Sequence, residues 1–411
     1  MKYYKGLSIV MVLSMMISGF SYSANVAYAE NTESAENTEN TTGAENTENT
    51  TGAENTAYAT YTCEEETDSL VSDSTEPDYS SKQLIVESKD EIENTYSATE
   101  VNTYLDEFHI LTYDTEEETC SAYEALQADG VDVCVEEGLN VEDSMYNTDG
   151  FFNPEIMQDM GIDTMHNYCW ANGDANTEVV VIDSGGYDVD TYGNPFNRIT
   201  DPDNTFIGYQ YVNGKIKKTE MPVDYSIDSG ELNNLHSTRV TSIILDSTGD
   251  NIKVRCCNVA TKYYVSETEM GCTSSTGETS TEYLLSLYDE LYDEAKDSSK
   301  DYVINFSMAM TTESDREMSY LKRATKKLIR AGVPFVVAAG NDSSVDTSTT
   351  YPQCISEVIN VGGLKKENGV YTRAKFTSPG SSDSPVDYSA SGYVVDVTGE
   401  SVSGTSFSAP L

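Results

Sequence analysis

The sequence predicts an α/β protein: a parallel sheet with helices on both faces, preceded by a small α+β module. Three observations carry this. From about residue 151, near-continuous apolar runs such as "TEVVVIDSGG" and "VPFVVAAGN" alternate with amphipathic helical segments, the pattern of a sheet buried on both faces. Between Lys82 and Leu139, shorter β-rich runs alternate with helix-like ones. Ahead of both lies a polar, repetitive stretch too poor in large apolar residues to fold.

Residues 1–29 read as an export signal. Lys2 and Lys5 flank an apolar run from Leu7 to Phe20, and Ala27-Tyr28-Ala29 offers a small-x-small cleavage site. The run is short for a ~20-residue membrane span. Residues 30–80 contain "AENTENTTGAENTENTTGAENT" and predict a disordered acidic spacer, since the repeat is too polar to build a solenoid.

Residues 81–140 form the small module. "KQLIVES", "EFHILTY" and "VDVCVEE" read as strands; "SATEVNTYLDE" and "EEETCSAYEALQADG" read as helices, the second closing on Gly130. "GLNVEDSMYNTDG" then predicts an exposed link. The larger domain spans 150–411. Its strands are "TEVVVIDSGG", "DYVINFSM", "VPFVVAAGN" and "EVINVGG". Its helices are "STRVTSIIL", "TEYLLSLYDELYDEAK" and "DREMSYLKRATKKLIRAG", the last with basic residues near its end and Gly332 as cap.

Lys+Arg total 24 against Asp+Glu 70, a formal net charge of -46. Nucleic acid and anionic membrane surfaces would repel such a chain, so neither is an expected partner. The first 150 residues carry nearly half the acids but only Lys2, Lys5, Lys82 and Lys89 as bases, so the two parts differ in kind. An exported chain with eight cysteines invites a disulfide framework. Both parts hold an odd number, however, and Cys256-Cys257 sit in the apolar run "IKVRCCNVA", where buried free thiols are expected. No CxxC pair or His/Cys cluster suggests zinc.

Reactive groups in an open parallel sheet collect beyond the carboxyl ends of its strands. Asp183 and Asn341 occupy such ends, His236 heads a helix, and Ser406 stands among small residues in "GTSFSAP". "DSG" or "AAGN" alone would be an ordinary strand ending; the ordered set of four carries the signal.

"VVVIDSG", "HSTRV", "VVAAGN" and "GTSFSAP" resemble, in order, the signature segments of the subtilisin-like serine peptidases. The likeness extends over residues 150–411 and includes the lead-in "NPEIMQDMGIDTMHNYCW". It implies a subtilisin-like sheet and, for the module, a ferredoxin-like inhibitory pro-domain. It also implies a secreted endopeptidase made as a zymogen and acting on polypeptides. Ser406 would be the nucleophile, His236 its base and Asp183 the carboxylate that orients the imidazole. Asn341 would donate to the oxyanion. Ser307, Met308 and Ala309 match the strand that pairs with an extended substrate backbone. No cofactor or metal ligand is assigned; calcium is common in the family, and "DPDN" at 201–204 is no more than a suggestive acidic loop.

Two features depart from the family pattern. Ser237, Thr241 and Ser242 replace small residues on the helix behind His236, where added bulk could displace the imidazole. Only five residues follow Ser406, where the family continues with a long helix, so the expectation is a fragment of a longer chain. These departures motivate a rival of a different class: a catalytically impaired relative acting as an extracellular binding or surface protein.

Overall fold

The computed structural model describes residues 77–89, 92, 96–147, 156, 158–161, 176–184, 206–212, 215–220, 236–248, 252–259, 262–267, 272–297, 300–395 and 401–411. The expected signal (1–29), nearly all of the spacer (30–80), most of the lead-in segment and "DPDN" lie outside these residues. Every described element belongs to one compact unit, Ser72–Leu411.

The module comprises strands β1 (Gln83–Glu87), β2 (Glu100–Tyr104) and β3 (Phe108–Thr112), helix α1 (Glu116–Ala128) and strand β4 (Val133–Val135). They form an antiparallel sheet in the order β2-β3-β1-β4. A reciprocal cap starts α1: the Glu118 amide donates to the Thr115 hydroxyl, and the Thr115 amide donates to the Glu118 carboxylate, both at 3.2 Å. Alternation along β1 divides its side chains between two cores. Leu84 and Val86 pack with Ala122, Tyr123 and Leu126 of α1, while Ile85 faces the larger domain with Phe108, Ile110 and Cys134.

One expectation fails within the module. Residues 97–107, read as helical, instead form β2 and a turn. Leu105 and Asp106 adopt φ of 54° and 62°, and the Glu107 amide closes the turn on the Tyr104 carbonyl at 3.2 Å. Positive φ at both central positions is the hairpin geometry that normally calls for Asn-Gly. Tertiary contacts hold Leu105 there: its side chain is fully buried, its amide donates to Asp289 at 2.6 Å, and its carbonyl accepts from Lys327.

Beyond the module the chain forms β5 (Leu139–Asn147), β6 (Thr177–Asp183), β7 (Phe206–Val212), β8 (Lys215–Glu220) and helix α2 (His236–Ser247). Next come β9 (Lys253–Asn258), β10 (Lys262–Glu267), β11 (Cys272–Thr279), helix α3 (Thr281–Asp297), β12 (Asp301–Phe306), β13 (Ala309–Thr311) and helix α4 (Asp315–Arg330). The last strands are β14 (Phe335–Ala338), β15 (Ile359–Glu367), β16 (Val370–Arg373), β17 (Tyr388–Ser391), β18 (Tyr393–Val395) and β19 (Ser401–Ser403).

The main sheet runs β16-β15-β14-β12-β6-β9-β7-β8, with β17 also on β15. All its pairs are parallel except those of β16 and β8. Helices cover both faces, as expected. Val180 and Ile182 of β6 share a core with Tyr283, Leu287 and Tyr288 of α3 and Leu321 of α4. Val181 packs with Val240, Ile243 and Ile244 of α2 on the other face. Arg255 of β9 binds Glu178 of β6 at 2.5 Å and Glu294 of α3 at 2.8 Å, so its buried charge is matched on two sides.

A second, antiparallel sheet has the order β10-β11-β5-β19-β18, with β13 also on β5. The segment expected to be an exposed link is therefore strand β5 at the middle of a sheet. Backbone pairing on both edges builds it, and its polar sequence gives no apolar alternation to reveal it.

The module docks on α3 and α4 largely through carboxylates. Glu136 accepts from the Thr281 amide at 3.0 Å, capping the positive end of α3. Glu282 accepts from Gln83 (3.0 Å), Asn102 (3.0 Å) and Tyr104 (2.8 Å) of the module. Glu317 accepts from the hydroxyls of Thr281 and Thr312, both at 2.7 Å. Burial, reinforced by Glu282, pushes Glu136 up to about 7. Burial, then the charges of Glu136 and Glu137, pushes Glu317 up to about 8. Both groups thus hold protons in the docked state that exposed carboxyls release near 4.5. Their contribution is full at low pH and is lost as pH climbs from the ordinary carboxylate range through about 8. We expect the thermal midpoint of the full chain to fall between about pH 5 and about pH 8, and Glu317→Gln to flatten that fall; parallel pH profiles for the two proteins would contradict this.

Candidate active site

Strand direction and one helix start bring the sequence-predicted residues together. β14, β12 and β6 are parallel neighbours, so their carboxyl ends deliver Asn341, Ser307 and Asp183 to one edge of the sheet. Asp183 closes β6 with no exposed surface. Its Oδ1 accepts from the Ser184 amide and from Nδ1–H of His236, each at 2.6 Å. His236 is the first residue of α2 and is also fully buried. The helix start is fixed beside β6, where the Ser237 amide donates to the Ser184 carbonyl at 3.2 Å. A neutral imidazole held through Nδ1–H carries its basic lone pair on Nε2, across the ring.

The third contributor is the segment after β19. Thr405–Phe407 form a single 3-10 turn, and Ser406 at its centre is 3% exposed. Neighbours fix this turn from several directions. The Thr405 amide and hydroxyl both donate to Oδ1 of Asn341, at 2.8 and 2.9 Å. The same hydroxyl accepts from the Gly340 amide at 3.1 Å. The Ser307 hydroxyl donates to the Ser406 carbonyl at 3.0 Å and accepts from Asn305 Nδ2 at 2.8 Å. Phe407 packs on the His236 ring, centroids 5.6 Å apart. Asp183, His236, Asn341 and Ser406 therefore meet in one place through direct bonds or through a residue next in sequence.

Pinning Oδ1 of Asn341 sets the orientation of its amide, because a flipped side chain would lose both bonds to Thr405. Sequence reasoning missed this locking role of Thr405, and it missed Gln353. Gln353 Nε2 donates to the carbonyls of Met308 (2.8 Å) and Ala338 (2.6 Å), joining the extension of β12 to the last residue of β14. No local motif marks such a residue. Of the expected substrate-pairing residues, Ala309 lies in β13, opposite Glu142 of β5. Met308 and Ser307 are buried behind it.

The departures on α2 leave the Asp183–His236 bond in place. Ser237, Thr241 and Ser242 are buried, and the Ser242 hydroxyl turns back to the Arg239 carbonyl at 2.8 Å. Ser237 and Thr241 border the thiol of Cys256, which burial and then the Asp183 charge push up to about 12. That thiol stays neutral and acts as packing. Among the described residues Cys120, Cys256, Cys257 and Cys354 are free thiols, and no group of three or more His, Cys, Asp or Glu could hold a metal ion.

The profile of the Subtilase family matches residues 157–411, so the chain belongs to that family. Fervidolysin from Fervidobacterium pennivorans, a keratinolytic enzyme related to subtilisin, is 17% identical with a TM-score of 0.51. The match covers 80% of this chain and 53% of that one. The epidermin leader peptide processing serine protease of Staphylococcus aureus is 14% identical with a TM-score of 0.49, over 80% of this chain and 85% of that one. At this identity fervidolysin shows the fold alone. No curated protein matches the chain.

Gly340 makes the Asn341 turn possible. Its φ is +104°, and a Cβ there would lie 2.7 Å from the Ser378 hydroxyl, itself engaged with Asp342. We expect Gly340→Ala to cost about 2 kcal/mol in denaturant unfolding, and adding Ser378→Ala to recover only the steric part. A change below about 0.5 kcal/mol for the single variant would contradict this.

Proposed function

We propose that the chain is a secreted serine endopeptidase that hydrolyses peptide bonds through an acyl-enzyme at Ser406 and is made as a zymogen. The observation that carries this reading is the buried Asp183–His236 bond set against the locked turn bearing Ser406. His236 takes the proton of the Ser406 hydroxyl as it attacks the substrate carbonyl, then returns it to the departing amine. Asp183 keeps the imidazole in the tautomer with Nδ1–H and offsets its charge once protonated. Asn341 donates its amide to the oxyanion.

The apolar segment at 1–29 supports export, and among the described residues no helix is long and apolar enough to cross a membrane. The module at 81–140 acts as the inhibitor. Its order β2-β3-β1-β4, its seat on α3 and α4, and the passage of its tail through the sheet that carries β19 support that role. Polypeptides suit the site, because an extended backbone can pair with a strand edge whatever its side chains.

We expect Ser406→Ala to abolish peptide hydrolysis and labelling by a serine-directed phosphonate. Asn341→Ala should lower kcat by about 10²–10³ with KM little changed. Folded, processed protein that resists both phosphonate and peptides would favour the impaired, surface-binding relative.

A further inference from the structure

We infer that the bond this protein cuts in its own chain is Ser144–Met145. The inference rests on the reading of Ser406 as nucleophile and adds the register of the segment lying across it.

β5 has β11 along one edge. Its other edge is shared: β13 pairs with Asn140, Val141 and Glu142, and β19 pairs with Tyr146 and Asn147. These two partners lead to the site from opposite sides. β13 begins two residues after Ser307, whose hydroxyl holds the Ser406 carbonyl, and β19 ends three residues before Ser406. The gap between them along β5 is Asp143-Ser144-Met145.

Backbone parity decides which of the three faces the gap. Successive residues of a strand aim their N–H and C=O at opposite edges. Met310 exchanges both its backbone bonds with Tyr351, at 2.8 and 2.9 Å, so it turns away from β5. Ala309 and Thr311 must then address β5, through Glu142 and Asn140. The other end gives the same answer independently. The Gly404 amide donates to the Gly392 carbonyl at 2.9 Å, so Gly404 and, by alternation, Val402 face the β18 side. Ser403 must then address β5, through Tyr146. Both ends show the even-numbered residues of β5 turned to the site edge. Ser144 is the even residue between the two anchors, and among the described pairings its only strand partner is Ser274 of β11, on the far edge. Its carbonyl is the one presented to the gap.

The step balances with water as co-reactant. Ser406 Oγ bonds to the Ser144 carbonyl carbon as its proton passes to His236. The Ser144–Met145 C–N bond breaks, and the Met145 nitrogen takes that proton to leave as an amine. Water then cleaves the ester, freeing Ser406 and leaving a carboxylate on Ser144.

The test is intact-mass and N-terminal analysis of the full chain after expression, beside Ser406→Ala and with phosphonate labelling as a separate readout. The expected result is a fragment ending at Ser144 and a partner beginning at Met145 in the wild type, with Ser406→Ala uncut. A cut at any other bond between residues 135 and 153 overturns the register, and phosphonate labelling of Ser406 in that sample shows that the nucleophile assignment survives. Cleavage at Ser144–Met145 in Ser406→Ala overturns self-processing. An uncut wild type overturns the inference; whether Ser406 still labels then decides if the proposed function falls with it.

Discussion

A single buried hydrogen bond, from Nδ1–H of His236 to Asp183, ties the two halves of the site together. Neither residue has exposed surface, so the carboxylate has exchanged water for the Ser184 amide and the imidazole at 2.6 Å each. An unpaired charge in that position would be prohibitive. The bond therefore fixes where α2 begins relative to the end of β6, and α2 in turn carries the apolar face that closes one side of the sheet. Phe407 rests on the same imidazole, which places the turn of Ser406 by packing as well as by its bonds to Asn341 and Ser307.

The second constraint is that β5 follows the module directly in sequence but belongs to the larger domain by hydrogen bonding. Its first residues, Leu139 and Val141, are buried in the core shared with α3 and α4. Its later residues are held by backbone pairing to β11 and β19. A chain segment pinned on both edges is presented in a fixed register, and fixed register is what separates one peptide bond from its neighbours. The acidity of the module has a structural counterpart here. Glu87 and Glu107 pair with Arg323 and Lys327 of α4, so the seat is partly electrostatic, and Glu136 adds a hydrogen bond from the Thr281 amide.

Much of this was legible in the sequence, because strong local signals coincide with the parallel sheet. Strands buried on both faces read as continuous apolar runs, which is why β6, β12, β14 and β15 and helices α2, α3 and α4 fall where expected. The same runs end at Asp183 and Asn341, so the candidate residues that the structure brings to one edge of the sheet could be read from strand ends. What was not legible depends on tertiary contact. The sequence of β2 reads as a helix because Val101 and Tyr104 are spaced like a helical face, and no Asn-Gly marks the turn at Leu105-Asp106 that Asp289 and Lys327 hold. β5, β10 and β11 are largely polar and pair through their backbones, so no apolar period announces them. The locking bonds of Thr405, Ser307 and Gln353 join segments remote in sequence, and each residue is unremarkable in isolation.

The most direct test of the central claim is proton NMR of the folded chain, seeking the imidazole proton shared between His236 and Asp183. The account predicts an exchange-protected resonance far downfield that vanishes in Asp183→Asn but persists in His109→Gln, which removes the β3 histidine whose ring nitrogens contact Thr103 and the Ser88 carbonyl. Absence of that resonance in the folded protein, or its survival in Asp183→Asn, would contradict it.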